Sequence, residues 1–338
     1  VLNPATGEMI ATLPHATPAE LDRALSAASR AFDGWRSTAP AARARILRDG
    51  AALIRQRADA IARIMTLEQG KPLAEARGET LFAADVIEWY AEEGRRAYGR
   101  IVPSAPAVRE LVVREPVGVA VAFTPWNFPA LTPARKIGGA LAAGCTLVLK
   151  AAEESPGVAC QLVQALHDAG LPPGVLNLVF GNPPDVSQRL MTSPLTRKVS
   201  FTGSTQVGKA LAKLAADNLL RTTMELGGHA PVLVFADADV DRAADVLAAA
   251  KFRNAGQVCI SPTRFYVQAP AFERFVARFV ASAEALRVGD GLEDGVQMGP
   301  LANARRVVSL ERIVEDARLS GGVVRTGGAQ IGNRGNFF

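Results

Sequence analysis

The sequence predicts an α/β protein with two doubly wound parallel-sheet domains and a small β arm. Three observations carry this. From Gly118 onward, short apolar runs at 119–123, 146–150 and 175–180 alternate with helical stretches, the pattern of buried strands joined by crossover helices. The alternation restarts after Pro231 with Val232, Leu233, Val234 and Phe235. At 338 residues the chain is too long for a single compact core. The expected division is 1–98 with 118–225 as one domain, 99–117 as a β-hairpin arm, and 226–338 as the second domain.

The elements follow in order. Thr17, Pro18, Ala19 and Glu20 form a capping box with proline at the first helical position, and Leu21, Leu25, Ala28, Phe32 and Trp35 then recur at helical spacing. A second helix is expected over about 41–69, stopped by Gly70 and Pro72, and a third over about 75–97. Residues 100–113 are short, rich in Val and Pro, and read as a hairpin. Then come a strand at 119–123, a helix at 132–143, a strand at 146–150, a helix at 155–169 and a strand at 175–180. A short strand at 198–201, a helix at 208–218 and a strand at 222–226 complete the first sheet.

Composition narrows the function classes. Lys and Arg exceed Asp and Glu by only five charges, and they are scattered along helical segments without interleaved aromatics, which argues against a nucleic-acid surface. The three cysteines Cys145, Cys160 and Cys259 are too few and too odd for a disulfide framework and suit a reducing compartment, the cytoplasm. Every apolar run is interrupted before it could span a bilayer, so no membrane partner is expected. Val1, Leu2, Asn3 and Pro4 already have the texture of a domain interior, so no secretory leader is expected. His15, His167 and His229 form no ligand pattern with the cysteines, so no metal is expected.

Several segments could carry chemistry. Pro125, Trp126, Asn127, Phe128 and Pro129 follow the carboxyl end of a strand, where open α/β sheets bind ligands. Asn127, between two prolines, could donate a hydrogen bond to a developing oxyanion, or be an ordinary turn residue. Lys150 ends a strand with Glu153 three residues on; the pair could meet a ribose and a phosphate, or form a surface ion pair. Phe201 to Lys209 reads as strand, glycine turn and helix start, which favours a pyrophosphate. Gly203, Gly208 and Lys209 have P-loop spacing, but Ala210 replaces the magnesium-binding hydroxyl, which excludes a nucleotide hydrolase. Glu225, before Gly227 and Gly228, could be a buried carboxylate of raised pKa acting as a general base, or a solvated strand end. Cys259, after Gly256 and Gln257, could be an accessible nucleophile or an inert buried thiol.

Taken in this order, the motifs resemble the aldehyde dehydrogenase superfamily over essentially the whole chain, and Glu225 and Cys259 stand 34 residues apart, a spacing that fits. The resemblance implies that 1–98 with 118–225 is a dinucleotide-binding domain, 226–338 a catalytic domain, and the arm an oligomerisation element of a homodimer or homotetramer. It implies attack by Cys259 on an aldehyde, an oxyanion held by the Asn127 side chain and the Cys259 N–H, hydride transfer to NAD or NADP, and hydrolysis of a thioester by water that Glu225 activates. The implied cofactor residues are Thr124, Pro125, Trp126, Lys150, Glu153, Gly181, Thr202, Gly203, Ser204, Val207 and Leu226. Glu153 tilts the choice toward NAD, because it repels a 2′-phosphate.

Within the superfamily the chain is most similar to succinate-semialdehyde dehydrogenases, through Arg135, Lys136 and the run Lys251 to Gln257. That implies a substrate site of Arg135, Arg253 and Phe128, with the guanidinium groups on the substrate carboxylate. Two arginines left unpaired would disfavour an uncharged aldehyde. Ser261 stands where some relatives carry a second cysteine, so no local disulfide switch is expected. The chain stops at Phe338 without the family's Glu-x-Phe-Gly-Pro segment, which suggests either a portion of a longer protein or a truncated product with an incomplete catalytic domain. The alternatives are an enzyme for glutarate semialdehyde or an uncharged aldehyde, and a non-catalytic NAD-binding or structural homologue.

Overall fold

A computed structural model describes residues 1–338. The helical N-terminal part comprises α1 (Pro18–Ser37), α2 (Pro40–Gln56), α3 (Ala58–Gln69) and α4 (Leu73–Arg95). The hairpin of β1 (Arg100–Val102) and β2 (Glu110–Val112) follows. Next come β3 (Val119–Phe123), α5 (Leu131–Ala142), β4 (Thr146–Lys150), α6 (Pro156–Asp168), β5 (Leu176–Val179), α7 (Pro183–Thr192), β6 (Thr196–Gly203), α8 (Thr205–Asp217) and β7 (Arg221–Leu226). The chain continues with β8 (Ala230–Val234), α9 (Val240–Phe252), a 3₁₀ turn at Arg253–Gly256, β9 (Pro262–Val267), α10 (Ala269–Glu284) and α11 (Ala304–Leu319).

The residues form two compact units. One is Leu13–Ile61 with Gly78–Glu225; the other is Val1–Thr12, Ala62–Arg77 and Leu226–Phe338. The first unit is built on a five-stranded sheet of order β5-β4-β3-β6-β7. β3 pairs in parallel with β4 and with β6, and β4 with β5. All residues of β3 and β4 are buried, because helices cover both faces of a parallel sheet. α1 starts at the expected capping box: the Thr17 hydroxyl accepts from the Glu20 N–H and Glu20 accepts from the Thr17 N–H at 2.8 Å. Trp35, at the other end of α1, donates its indole N–H to the Leu141 carbonyl at 3.1 Å. The β1–β2 hairpin leaves Ile101 and Leu111 exposed.

In the second unit β8 and β9 pair in parallel, and α9 and α10 pack beside them. The core there joins Val234, Val240, Ala244, Ala271 and Phe275, with Phe265 and Phe279 each tilted against Phe275 and edge-on to one another. No helix is long and apolar enough to cross a membrane.

Three sequence expectations are corrected, and one helix is added. The single helix over 41–69 is two helices, α2 and α3. The break falls at Arg57, which leaves helical geometry at φ −96° and ψ 9° while its side chain pairs with Asp168 at 2.6 Å. The strand at 198–201 runs from Thr196 to Gly203, because the parallel ladder with β3 begins at Thr196. The helix start at 208 lies at Thr205, where Ser204 caps it, so Gly208 and Lys209 sit inside the helix. α7 was not anticipated; its prolines at the first two positions fit a helix start as well as a loop.

Gly50 shows a close approach between elements. A Cβ there would lie 2.5 Å from Leu166 Cδ2 on α6, and Leu166 is fully buried. Helix propensity favours alanine over glycine by about 1 kcal/mol, but overpacking a filled core costs about 1–3 kcal/mol. Gly50→Ala is therefore expected to lower the urea unfolding midpoint, by a loss of about 1 kcal/mol; a raised midpoint would show that Leu166 moves aside freely.

Candidate active site

The parallel ladder aligns Phe123, Lys150, Phe201 and Val179 in one row, so the residues that follow them lie along one edge of the sheet. Between β3 and β6 the chain reverses its direction of travel across the sheet, the place where open α/β sheets form a ligand crevice. Thr124, Pro125, Trp126, Asn127 and Phe128 leave β3 there. Thr202, Gly203 and Ser204 leave β6, and Lys150 and Glu153 leave β4.

The details suit an extended anionic ligand. A Cβ on Gly203 would overlap the Phe201 ring, so only glycine lets the chain turn this tightly into α8. Ser204 caps α8 by accepting the Val207 N–H at 3.3 Å, and the helix start carries the positive end of the dipole. The Thr124 hydroxyl is buried without a hydrogen-bond partner, an unmet polar group at the end of β3. Lys150 Nζ pairs with Glu153 at 2.6 Å, and Glu153 also accepts the Gly181 N–H at 3.3 Å. The two groups do form an ion pair, but with Lys150 buried it is not the surface pair that the sequence offered as one option. These features fit a dinucleotide.

The turn bearing Asn127 is fixed from α4. Glu79, buried, accepts the N–H groups of Ala130 at 2.8 Å and Leu131 at 3.1 Å. This satisfies two helix-start donors that Ala130, the N-cap of α5, cannot satisfy itself. Thr132 closes the same turn by donating its hydroxyl to the Phe128 carbonyl at 2.8 Å. Farther along α5, Arg135 is exposed and Lys136 is half-buried. Burial pushes the Lys136 ammonium down to about 8, partly offset by the Glu225 carboxylate. Glu225 itself is exposed on β7, the edge strand, so of the two settings the sequence left open for it the solvated strand end is the one observed.

Cys259 and Arg253, both exposed, belong to the other unit. The accessible alternative for Cys259 is the one observed. Just ahead of it, Asn254 and Ala255 are consecutive left-handed residues at φ 51° and 53°. For non-glycine residues this costs roughly 1–2 kcal/mol each, and it persists only where neighbours enforce it. Glu75 on α4 does part of this by accepting the Asn254 N–H at 3.0 Å.

The family model for the aldehyde dehydrogenase family matches residues 1–338. The chain belongs to the aldehyde dehydrogenase family. It is 45% identical over its full length to the NADP(+) succinate-semialdehyde dehydrogenase GabD of Escherichia coli K12, and spans 70% of that protein. It is 50% identical over 93% of its length to the 4-(hydroxymethyl)benzenesulfonate dehydrogenase of Comamonas testosteroni, and spans 66% of it. The crystal structure of succinate-semialdehyde dehydrogenase from Burkholderia pseudomallei superposes with a TM-score of 0.97 at 44% identity, covering 100% of this chain and 70% of that one. The resemblance read from the motifs is thereby established at the level of the family and of its α/β fold.

Sequence reasoning missed Glu79, Glu75 and the setting of Lys136. The partners of the two glutamates are far away in the chain, and only the position of Glu75 in the first turn of α4 left a trace. Lys136 gives a pH test. Its folded value lies below the ordinary lysine value of 10.5, so the unfolded chain holds more protons between about pH 8 and 10.5. Stability from this group therefore rises with pH through that window. Lys136→Met is expected to have a higher Tm than the parent at pH 7, with the gap closing by pH 10.5; a gap independent of pH would remove the assignment.

Proposed function

We propose that the intact protein oxidises an aldehyde bearing a distal anionic group, with succinate semialdehyde foremost, to the carboxylic acid using NAD(P)+. The observation that carries this reading is an exposed Cys259 on a turn held in strained geometry, in a member of this family. The Cys259 thiolate bonds to the aldehyde carbon, while the Asn127 amide and the Cys259 N–H hold the oxygen that becomes negative. Bound NAD(P)+ supplies the hydride acceptor. The acyl group left on sulfur is a thioester, which water attacks as Glu225 takes its proton. The acid departs and the thiolate returns.

Lys150, Glu153 and Gly181 would meet the adenosine ribose, with Thr124, Pro125 and Trp126 beside it. Thr202, Gly203, Ser204 and Val207 would face the pyrophosphate, and Leu226 the nicotinamide. Glu153 favours NAD, whereas the name of GabD specifies NADP(+), so both cofactors belong in the test.

Arg135 and Arg253 supply guanidinium groups for the substrate anion, and Phe128 an apolar wall. A sulfonate carries the same single negative charge on three tetrahedrally disposed oxygens that a guanidinium can meet, and the relatives named for 4-(hydroxymethyl)benzenesulfonate and for 3-sulfolactaldehyde make a sulfonated aldehyde a specific second reading. NAD(P)H formation is measured with succinate semialdehyde, a sulfonated aromatic aldehyde and butanal. The acidic aldehydes should lead butanal by at least tenfold in kcat/KM. Cys259→Ala should abolish turnover, and Arg135→Ala should lower kcat/KM for acidic aldehydes alone. Equal rates with butanal would remove the anion clamp, and no turnover would favour a non-catalytic homologue.

The exposed Ile101 and Leu111 of the β1–β2 hairpin support a homodimer or homotetramer. Ile101→Asp is expected to shift the light-scattering mass toward the monomer; an unchanged mass would place the interface elsewhere.

A further inference from the structure

The turn that carries Cys259 is held by two side-chain amides whose polarity is set from the main chain. Gln69 is fully buried at the end of α3, and its Oε1 accepts the Lys71 N–H at 3.1 Å. A main-chain N–H can only donate, so this end of the amide must be the oxygen. The Nε2 end therefore faces Asn254, and it donates to Asn254 Oδ1 at 2.9 Å. That in turn directs Asn254 Nδ2 to the Gln257 carbonyl at 3.3 Å. Gln257 is fixed in the same way. Its Oε1 accepts the Ala302 N–H at 3.1 Å, and its Nε2 donates to the Asn254 carbonyl at 3.1 Å.

Reversing any one amide would set donor against donor, which is costly where Gln69 and Asn254 are buried. The two main-chain donors thus lock Gln69, Asn254 and Gln257 in a single orientation. The locked set encloses the left-handed pair Asn254 and Ala255, which otherwise would relax.

We infer that Gln69 is a positioning residue for Cys259, acting through Asn254 and Gln257. The inference rests on the proposed role of Cys259 as the nucleophile. Gln69 touches neither substrate nor cofactor. Its contribution is to make the buried end of the turn rigid, so that Cys259, two residues beyond Gln257, is presented in one place.

The test replaces Gln69 with methionine, which keeps the length and removes both hydrogen bonds. Hydrogen exchange of the 338-residue chain reads the turn directly. Amides at 256–261 are expected to exchange at least tenfold faster in Gln69→Met, while those at 119–150 stay within twofold of the parent. In turnover assays kcat is expected to fall at least tenfold, with KM for NAD(P)+ within twofold. Unchanged exchange at 256–261, equal loosening of both segments, or a loosened turn with unchanged kcat would each overturn the inference. A parent protein without turnover would remove the proposed function, and the exchange data would still decide whether Gln69 holds the turn. If Gln69→Met does not fold, Asn254→Gly is read in the same way, because glycine accepts a φ of 51° while both side-chain links are cut.

Discussion

Parallel pairing is the constraint from which the cofactor half of this protein follows. Strands joined by crossover helices must all run the same way, so β3, β4, β5 and β6 deliver their carboxyl ends to one edge. The return of the chain from β5 to a place beside β3 then opens a crevice along that edge. Thr124, Lys150 and Gly203 have little in common as residue types. What unites them is their position just at or past the end of a strand in this row. The helix starts of α5 and α8 arrive at the same edge with unpaired N–H groups. One is satisfied by Glu79, whereas the other, capped by Ser204, keeps donors for an anion.

The unit that carries Cys259 obeys a different constraint. A reactive thiol must be exposed, yet exposed loops are the least ordered parts of a fold. Here the exposed Cys259 is tied to a buried polar anchor. Asn254 is suited to this because asparagine tolerates left-handed backbone better than most residues and also brings an amide that glycine lacks. Ala255 has neither advantage, so its conformation depends on its neighbours. Local strain and remote hydrogen bonds are two sides of the same arrangement.

The sequence made much of this legible, unevenly. β3 and β4 could be read to the residue, because β3 is wholly apolar and β4 is an apolar run between Thr146 and Lys150, each between turn signals. The α1 capping box was legible because its two partners are three residues apart. The ordered motifs around Asn127, Glu225 and Cys259 pointed to the family. The break at Arg57 was not legible, since no proline or glycine marks it. The exposure of Glu225 was hidden because strand order, a tertiary property, puts β7 at the edge. Gln69 read only as the last residue before a helix stop, since its partner lies 185 residues away. The residues that hold the site from a distance left the weakest trace.

The cap that Glu79 provides has a kinetic side. Its partner Ala130 lies 51 residues downstream, so the start of α5 cannot be completed by its own neighbourhood. Closing a loop of that size must precede the hydrogen bonds that reward it. The turn that carries Asn127 therefore matures only after α4 has docked. In a growing or refolding chain the strands beside it can pair first, and a species with a formed sheet and an unformed Asn127 turn is a natural step on the way. Ordering of the Asn127 turn would then lag behind recovery of secondary structure.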